Sequence, residues 1–202
     1  MPYWTKIFTK SIDNMNRIKL QLLTKDDLTD EYVSWHTAEH TTYFSSTKRK
    51  FLREDLIHEL EEGIKAGNLF HYGIYHIIDD KLIGVIKLGV INLIHKSSDM
   101  VVLIGDRDYL GKGIAVDAIK LGNQIAFEKH KLRKLFGGMY KQNIASVKTY
   151  LKANWIIEGV LKDHYLEQDK EQDRILVACF NPNIYRGSYY SKGEYNFKQI
   201  YT

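Results

Sequence analysis

The chain has 202 residues, 44% hydrophobic and 27% charged, the size and mixture of one compact soluble domain with its own core, which excludes a disordered chain. Lys and Arg number 29 against 25 Asp and Glu; that surplus is too small and too evenly spread for a dedicated nucleic-acid binder, although it permits an anionic ligand. Cys179 is the single cysteine, so an intramolecular disulfide and a thiolate zinc cage are excluded and a reducing cytoplasm is the expected location.

Lys6 and Lys10 interrupt MPYWTKIFTK before any apolar leader core, so no secretory signal is expected. From Arg17 to Leu23 the alternation of Ile18, Leu20 and Leu22 predicts a half-buried strand. Thr24 followed by two aspartates predicts a helix start, with Leu28, Tyr32, Val33 and Trp35 as a helical stripe to Ala38. Leu56, Ile57, Leu60 and Ile64 predict a second helix over Leu52 to Ala66, capped by Gly67. Two strands follow, Leu69 to Ile78 and Leu82 to Ile94, turning at Asp79-Asp80. The second is the longest apolar run, and Lys87 and Asn92 break it well short of the roughly 18 residues of a membrane helix, so no membrane partner is expected. Strand Met100 to Gly105 leads through a glycine turn into a helix, Ala115 to Lys129, whose small residues suit close packing on a sheet. Strand Lys134 to Tyr140, helix Ser146 to Ala153 and a hairpin of Trp155 to Tyr165 with Arg174 to Phe180 complete a domain spanning residues 1–181. Residues 182–202 form an aromatic tail, with Tyr185, Tyr189, Tyr190, Tyr195, Phe197 and Tyr201, expected to pack on the domain or a partner.

Two segments carry candidate chemistry. Asp106 to Val116 joins a strand to a helix through Gly111 and Gly113, where first-turn amides and the helix dipole suit a phosphate; two glycines equally make a plain tight turn. The spacing is neither that of a Walker loop nor that of a dinucleotide fingerprint. In the second segment Asn143 can cap a helix carrying Tyr150, whose phenol either donates a proton to a leaving group or packs in the core.

Together these segments resemble the GNAT superfamily of acyl-CoA-dependent N-acyltransferases. Leu110 to Ala115 matches the family's Gln/Arg-x-x-Gly-x-Gly/Ala loop except at Leu110, a departure shared with the branch resembling ribosomal-protein N-terminal acetyltransferases. Asn143, Ser146, Tyr150 and Lys152 match the later motif, Asn-x-x-Ala/Ser-x-x-Leu-Tyr-x-Lys-x-Gly-Phe, while Thr149, Asn154 and Trp155 depart from Leu, Gly and Phe. The resemblance implies an α/β (mixed α+β) fold, a single domain with a splayed, mostly antiparallel central sheet flanked by helices. It implies acetyl-CoA or another acyl-CoA as co-substrate, with no metal. Pantetheine is expected to pair near Ile104 and Gly105. The CoA pyrophosphate is expected on the turn from Leu110 through Gly111, Lys112, Gly113 and Ile114 to Ala115, with Asn143 and Ser146 nearby. Tyr150 is the implied general acid, and direct attack by the amine leaves Cys179 as core.

For the base, Asp99, Asp106, Asp108 and His164 are candidates, each also readable as a solvated loop residue, as are Glu158 and Asp173. His36 and His40 have metal-ligand spacing but no third ligand. Leu23 to Ser45 resembles, more loosely, the opening of family members that acylate nucleotide-linked amino sugars. Trp35, Tyr43 and His164 are then expected to bind an amino-sugar acceptor, with Phe44 beside them. A protein N-terminus or a polyamine is the alternative acceptor, and a non-catalytic acyl-CoA sensor the third reading. A homodimer is allowed.

Overall fold

The computed structural model describes residues 17–38, 52–167, 169–185 and 196–201. Seven strands form one sheet in the order β1-β2-β3-β4-β5-β7-β6. They are β1 (Ile18–Leu22), β2 (Leu69–His76), β3 (Lys81–Gly89), β4 (Ser97–Ile104), β5 (Lys134–Tyr140), β6 (Ile156–Glu167) and β7 (Lys170–Phe180). Every neighbouring pair is antiparallel except β4 with β5. The helices are α1 (Asp30–Ser34), α2 (Arg53–Ala66), α3 (Ile114–Gln124), α4 (Ile144–Lys152) and α5 (Phe197–Tyr201). The mixed class and the mostly antiparallel sheet agree with the sequence reading.

The two faces of the sheet carry separate cores. On one, Ile74, Ile86, Met100 and Leu135 pack with Ile114, Ala118 and Ile119 of α3 and with Val147 of α4. On the other, Val85 and Leu103 pack with Leu28, Tyr32 and Trp35 and with Leu56 and Leu60 of α2. Strand alternation explains the division, since Val85 and Leu103 lie one residue from Ile86 and Ile104 and therefore point the other way.

Several boundaries differ from expectation for physical reasons. The helix predicted over Thr24 to Ala38 breaks in two because two threonines each start a turn. The Asp27 carboxylate takes the Thr24 amide and hydroxyl, each at 2.8 Å, around a single 3-10 turn, and Thr29 then caps α1 by accepting the Tyr32 amide. Leu22, expected inside, is 38% exposed, while Leu23 turns to the opposite face and is buried with α1 and α2. Ile64 faces outward because Gly63 of α2 sits against Leu69. β3 ends at Gly89 and not at Ile94, and residues 97–99, expected as a turn, begin β4 because they pair with β5. The hairpin of β6 and β7 is longer than expected, and α3 passes into a π turn at Ile125–Lys129.

The described part of the tail lies on the domain. Tyr185 accepts a hydrogen bond from Arg133 Nη1 at 2.6 Å, and Tyr201 donates to the Lys141 carbonyl at 2.8 Å. Tyr189, Tyr190 and Tyr195 lie outside the described residues. No helix among the described residues is long and apolar enough to cross a membrane.

Trp35, expected to meet substrate, is instead core. It is 4% exposed and lies over Gly105, where a Cβ would stand 1.9 Å from an indole carbon. Only a glycine permits that approach. Gly105→Ala is therefore expected to destabilise the fold by about 1–3 kcal/mol through overpacking, read as a lower urea midpoint with an unchanged slope.

Candidate active site

The site is built where β4 changes partners. Met100 to Ile104 pair with β3, whereas only Ser97, Ser98 and Asp99 pair with β5. Beyond Asp99 the two strands diverge, and the backbone groups of β4 that would have met β5 are left to other partners. A cavity of about 460 Å³ opens there. Its walls are β4 from Asp99 to Ile104, the turn from Tyr109 into α3, Gly137 to Met139 of β5, and the face of α4 carrying Asn143, Ser146 and Tyr150.

α4 is placed by its cap and by its far end. Asn143 Oδ1 accepts the Ser146 amide at 3.1 Å, and the helix turns once more to bring Tyr150 against β4. The chain leaves at Asn154 with φ of 66°, a left-handed position where the family pattern has glycine and which asparagine tolerates best among other residues. Trp155 then packs edge-on against Tyr150 at 4.8 Å, and its indole N–H donates to Asn123 Oδ1 of α3 at 3.1 Å. The Asn-Trp pair thus supplies both the turn and the aromatic packing that Gly-Phe implies.

Tyr150 is 4% exposed and donates its hydroxyl to the Met100 carbonyl at 2.8 Å, at the point of divergence. Burial, followed by the Asp99 charge, pushes its pKa far above the usual tyrosine value, so the phenol stays protonated. Asp99 lies beside it. Burial pushes its carboxyl upward, against the Met100 amide and the charges of Arg174 and Lys87, which pull it down. Its enclosed Oδ1 has no hydrogen-bond partner. Gly137 borders both groups: a methyl there would lie in ordinary contact, 3.6 Å from that oxygen and 3.8 Å from the Met100 carbonyl oxygen.

The glycine turn has the geometry of an anion cradle. Gly111 and Gly113 have φ of 71° and 77°, and Gly113 is the N-cap of α3, whose Ile114 and Ala115 amides precede the first intrahelical hydrogen bonds, made by Val116 and Asp117 to the Gly113 carbonyl. Leu110, Gly111, Gly113, Ile114 and Ala115 line the cavity. Lys112 does not: its ammonium lies 5.3 Å over the Tyr109 ring. Its carbonyl accepts Arg17 Nη1 at 2.9 Å, and Arg17 also pairs with Asp117 of α3. Arg17 thereby braces the turn from 95 residues away, a role that no local sequence signal announces.

The other expected residues separate clearly. Ile104 lines the cavity, but Gly105 does not, because its amide is bonded to the Ile83 carbonyl at 3.0 Å and its Cα faces Trp35. Asp106 accepts Lys81 at 2.7 Å and the Asp108 amide at 2.9 Å; burial raises its carboxyl, and these partners hold it below the usual range. Asp108 is exposed. Glu158 is bound by Lys134, and Asp173 by Lys141 and Lys162. His164 lies exposed on β6, with Arg174 Nη1 at 3.3 Å from its Nε2. His36 is bonded to the Tyr32 carbonyl at 3.2 Å, and Tyr43, Phe44 and His40 lie outside the described residues. Among the described residues no three His, Cys, Asp or Glu side chains gather to hold a metal.

Cys179 lies on β7, where burial pushes its thiol up to about 12. At neutral pH it carries almost no thiolate, the form that reacts. Iodoacetamide at pH 8 is accordingly expected to leave the folded protein unlabelled and to alkylate one thiol after denaturation, as read by mass spectrometry.

A family model described as "Acetyltransferase (GNAT) domain" matches residues 17–155. The "Probable N-acetyltransferase YjcK" of Bacillus subtilis (strain 168) is 28% identical over 127 residues, which are 63% of this chain and 70% of the relative. A "Spermidine N(1)-acetyltransferase" of Escherichia coli (strain K12) is 28% identical over 102 residues, so the match spans 50% of this chain and 54% of that enzyme. Among solved structures, the spermidine N-acetyltransferase from Vibrio cholerae in complex with CoA and spermine superposes with a TM-score of 0.74 at 20% identity, over 82% of this chain and 96% of that one, a likeness of fold. The chain belongs to the GNAT acetyltransferase family and is an acyl-CoA-dependent N-acyltransferase.

Proposed function

We propose that this chain transfers the acetyl group of acetyl-CoA to a primary amine of a polyamine, with Tyr150 as general acid and Asp99 as the base on the acceptor side. The observation that carries this reading is the pair at the fork: a neutral phenol and a carboxylate with an unpartnered oxygen flank the point where β4 and β5 part. The similarity to spermidine acetyltransferases supports the acceptor class. The burial of Trp35 removes one of the aromatic faces on which the nucleotide-sugar reading depended. One similar structure is described as dodecameric, which makes an oligomer part of the proposal.

In this reading the pyrophosphate rests on the amides from Gly111 to Ala115, and pantetheine runs along the β4 edge up to Ile104. The amine nitrogen attacks the thioester carbonyl carbon, giving a tetrahedral intermediate. The C–S bond then breaks, the CoA thiolate takes the Tyr150 proton, and the amine proton passes to Asp99. A carboxylate raised by burial holds that proton better than an ordinary one. A second reading, an amino group on a nucleotide-linked sugar, is favoured by Arg174, whose buried Nε has no partner and suits an anion-bearing acceptor. Thiol release from acetyl-CoA with spermidine, spermine, peptides and amino-sugar nucleotides tests the acceptor: turnover of the polyamines supports the proposal, and turnover of the sugar nucleotides alone overturns it.

Tyr150→Phe keeps the ring packed on Trp155 and deletes the donor, so kcat should fall by roughly 10² to 10⁴ with CoA affinity unchanged. A wild-type kcat in that variant would make Tyr150 a packing residue. For the cradle, Gly113→Val forces a β-branched residue to φ of 77° and should weaken CoA binding sharply in calorimetry, while Lys112→Ala should cost much less. For the base, activity requires ionised Asp99, so kcat/KM should fall as pH drops through its raised pKa, and Asp99→Asn should abolish that limb.

A further inference from the structure

The acceptor-side face of the sheet carries an ion pair that the mechanism above does not use. Lys87 on β3 pairs with Glu59 of α2. The register sets Lys87 opposite Val101, so Asp99 is its diagonal neighbour on the same face of β4. At that separation, roughly 7–8 Å, a lysine side chain can reach a carboxylate. A Lys87 freed from Glu59 would therefore have the Asp99 carboxylate within reach. Instead the Lys87 ammonium is held upward by α2, and Asp99 Oδ1 is left without a partner.

Resting on the reading of Asp99 as the base, we propose that Glu59 is a positioning residue for the reaction: by holding Lys87, it keeps that cation off the Asp99 carboxylate and leaves the carboxylate open to the amine proton. The floor beneath the pair suits such a restraint. His71, opposite Lys87 on β2, is 4% exposed, and neither ring nitrogen has a hydrogen-bond partner, so it does not compete for the ammonium. Among the described residues, Arg174 of β7, Tyr150 of α4 and Tyr165 of β6 also act on Asp99, while His71 of β2 and His36 feel both charges of the Lys87–Glu59 pair and Tyr32 of α1 feels that of Glu59. Tyr150 is bound to Met100, and Arg174 is engaged with His164 and lies over the Tyr165 ring. Arg174 and Lys87 are thus both placed by residues outside the fork, and Lys87 is the one held by a carboxylate.

The test is the pH dependence of kcat/KM, with acetyl-CoA and the best acceptor of the panel, in Glu59→Gln, Lys87→Met and the double variant. Freeing Lys87 places a cation on Asp99 and lowers its pKa. Glu59→Gln should therefore move the acidic limb down by about one pH unit and reduce the plateau about tenfold. Lys87→Met removes the cation, so it should move the limb upward, and the double variant should recover to within about threefold of the wild-type plateau. A double variant as impaired as Glu59→Gln, or a limb unmoved by both single changes, overturns the proposal. Should Glu59→Gln fail to fold, the direction of the shift in Lys87→Met decides. Asp99→Asn separates the two readings: if it keeps the wild-type profile the base assignment falls, whereas a lost limb with no effect at Glu59 and Lys87 overturns the positioning role alone.

Discussion

One strand serves two partners along different stretches, and the site follows from that division. β4 spends Met100 to Ile104 on β3 and only Ser97 to Asp99 on β5. Backbone polar groups buried without partners are costly, so the far edge of β4 must be satisfied by something other than a strand. Tyr150 meets part of that demand through the Met100 carbonyl, and its hydroxyl also lies against the Val102 amide. The remainder of the edge borders the cavity, where an extended ligand can add itself as a further strand. In the proposed reading, the same opening that creates a need for hydrogen bonds also takes the co-substrate.

Tyr150 in turn depends on supports from both ends of its helix and from a neighbour. Asn143 fixes the start, Asn154 permits the reversal, and Trp155 fills the space beside the ring. The Trp155 indole brings a polar N–H into the core, and Asn123, itself buried on α3, accepts it. This links α3, which carries the glycine turn at its start, to α4, which carries the phenol. Displacing either helix would move both halves of the site.

Local signals in the sequence located most elements and the two motifs, because alternation, helical spacing and glycine punctuation are properties of neighbouring residues. What they could not show arises from pairing across distance. The extension of β4 to Ser97 depends on Lys134, Leu135 and Phe136 lying alongside. Trp35 reads as a candidate ligand-binding aromatic until Gly105, 70 positions later, is found beneath it. Arg17 and Glu59 carry no motif, and their contacts with Lys112 and Lys87 are set by partners on other elements. Gly137 and Gly138 do carry a local signal, since adjacent glycines inside a strand mark close approach, here of Arg174 to Gly138.

Burial acts on both sides of the fork in the same direction, and the proposed division of labour between the pair rests on this. It pushes the Tyr150 phenol up, so the proton stays in place in the resting site, and it pushes the Asp99 carboxyl up, so that side chain gains affinity for a proton. Each effect also feeds the other: an ionised Asp99 raises Tyr150 further, and once Asp99 has taken a proton that repulsion disappears. In the proposed mechanism a protonated Asp99 therefore leaves the Tyr150 phenol easier to ionise than an ionised Asp99 does. In the proposed mechanism, cations close to Asp99 would weaken this coupling by holding the carboxylate ionised, and both nearby cations, Arg174 and Lys87, have contacts elsewhere. His164 and the Tyr165 ring engage the first, and Glu59 engages the second.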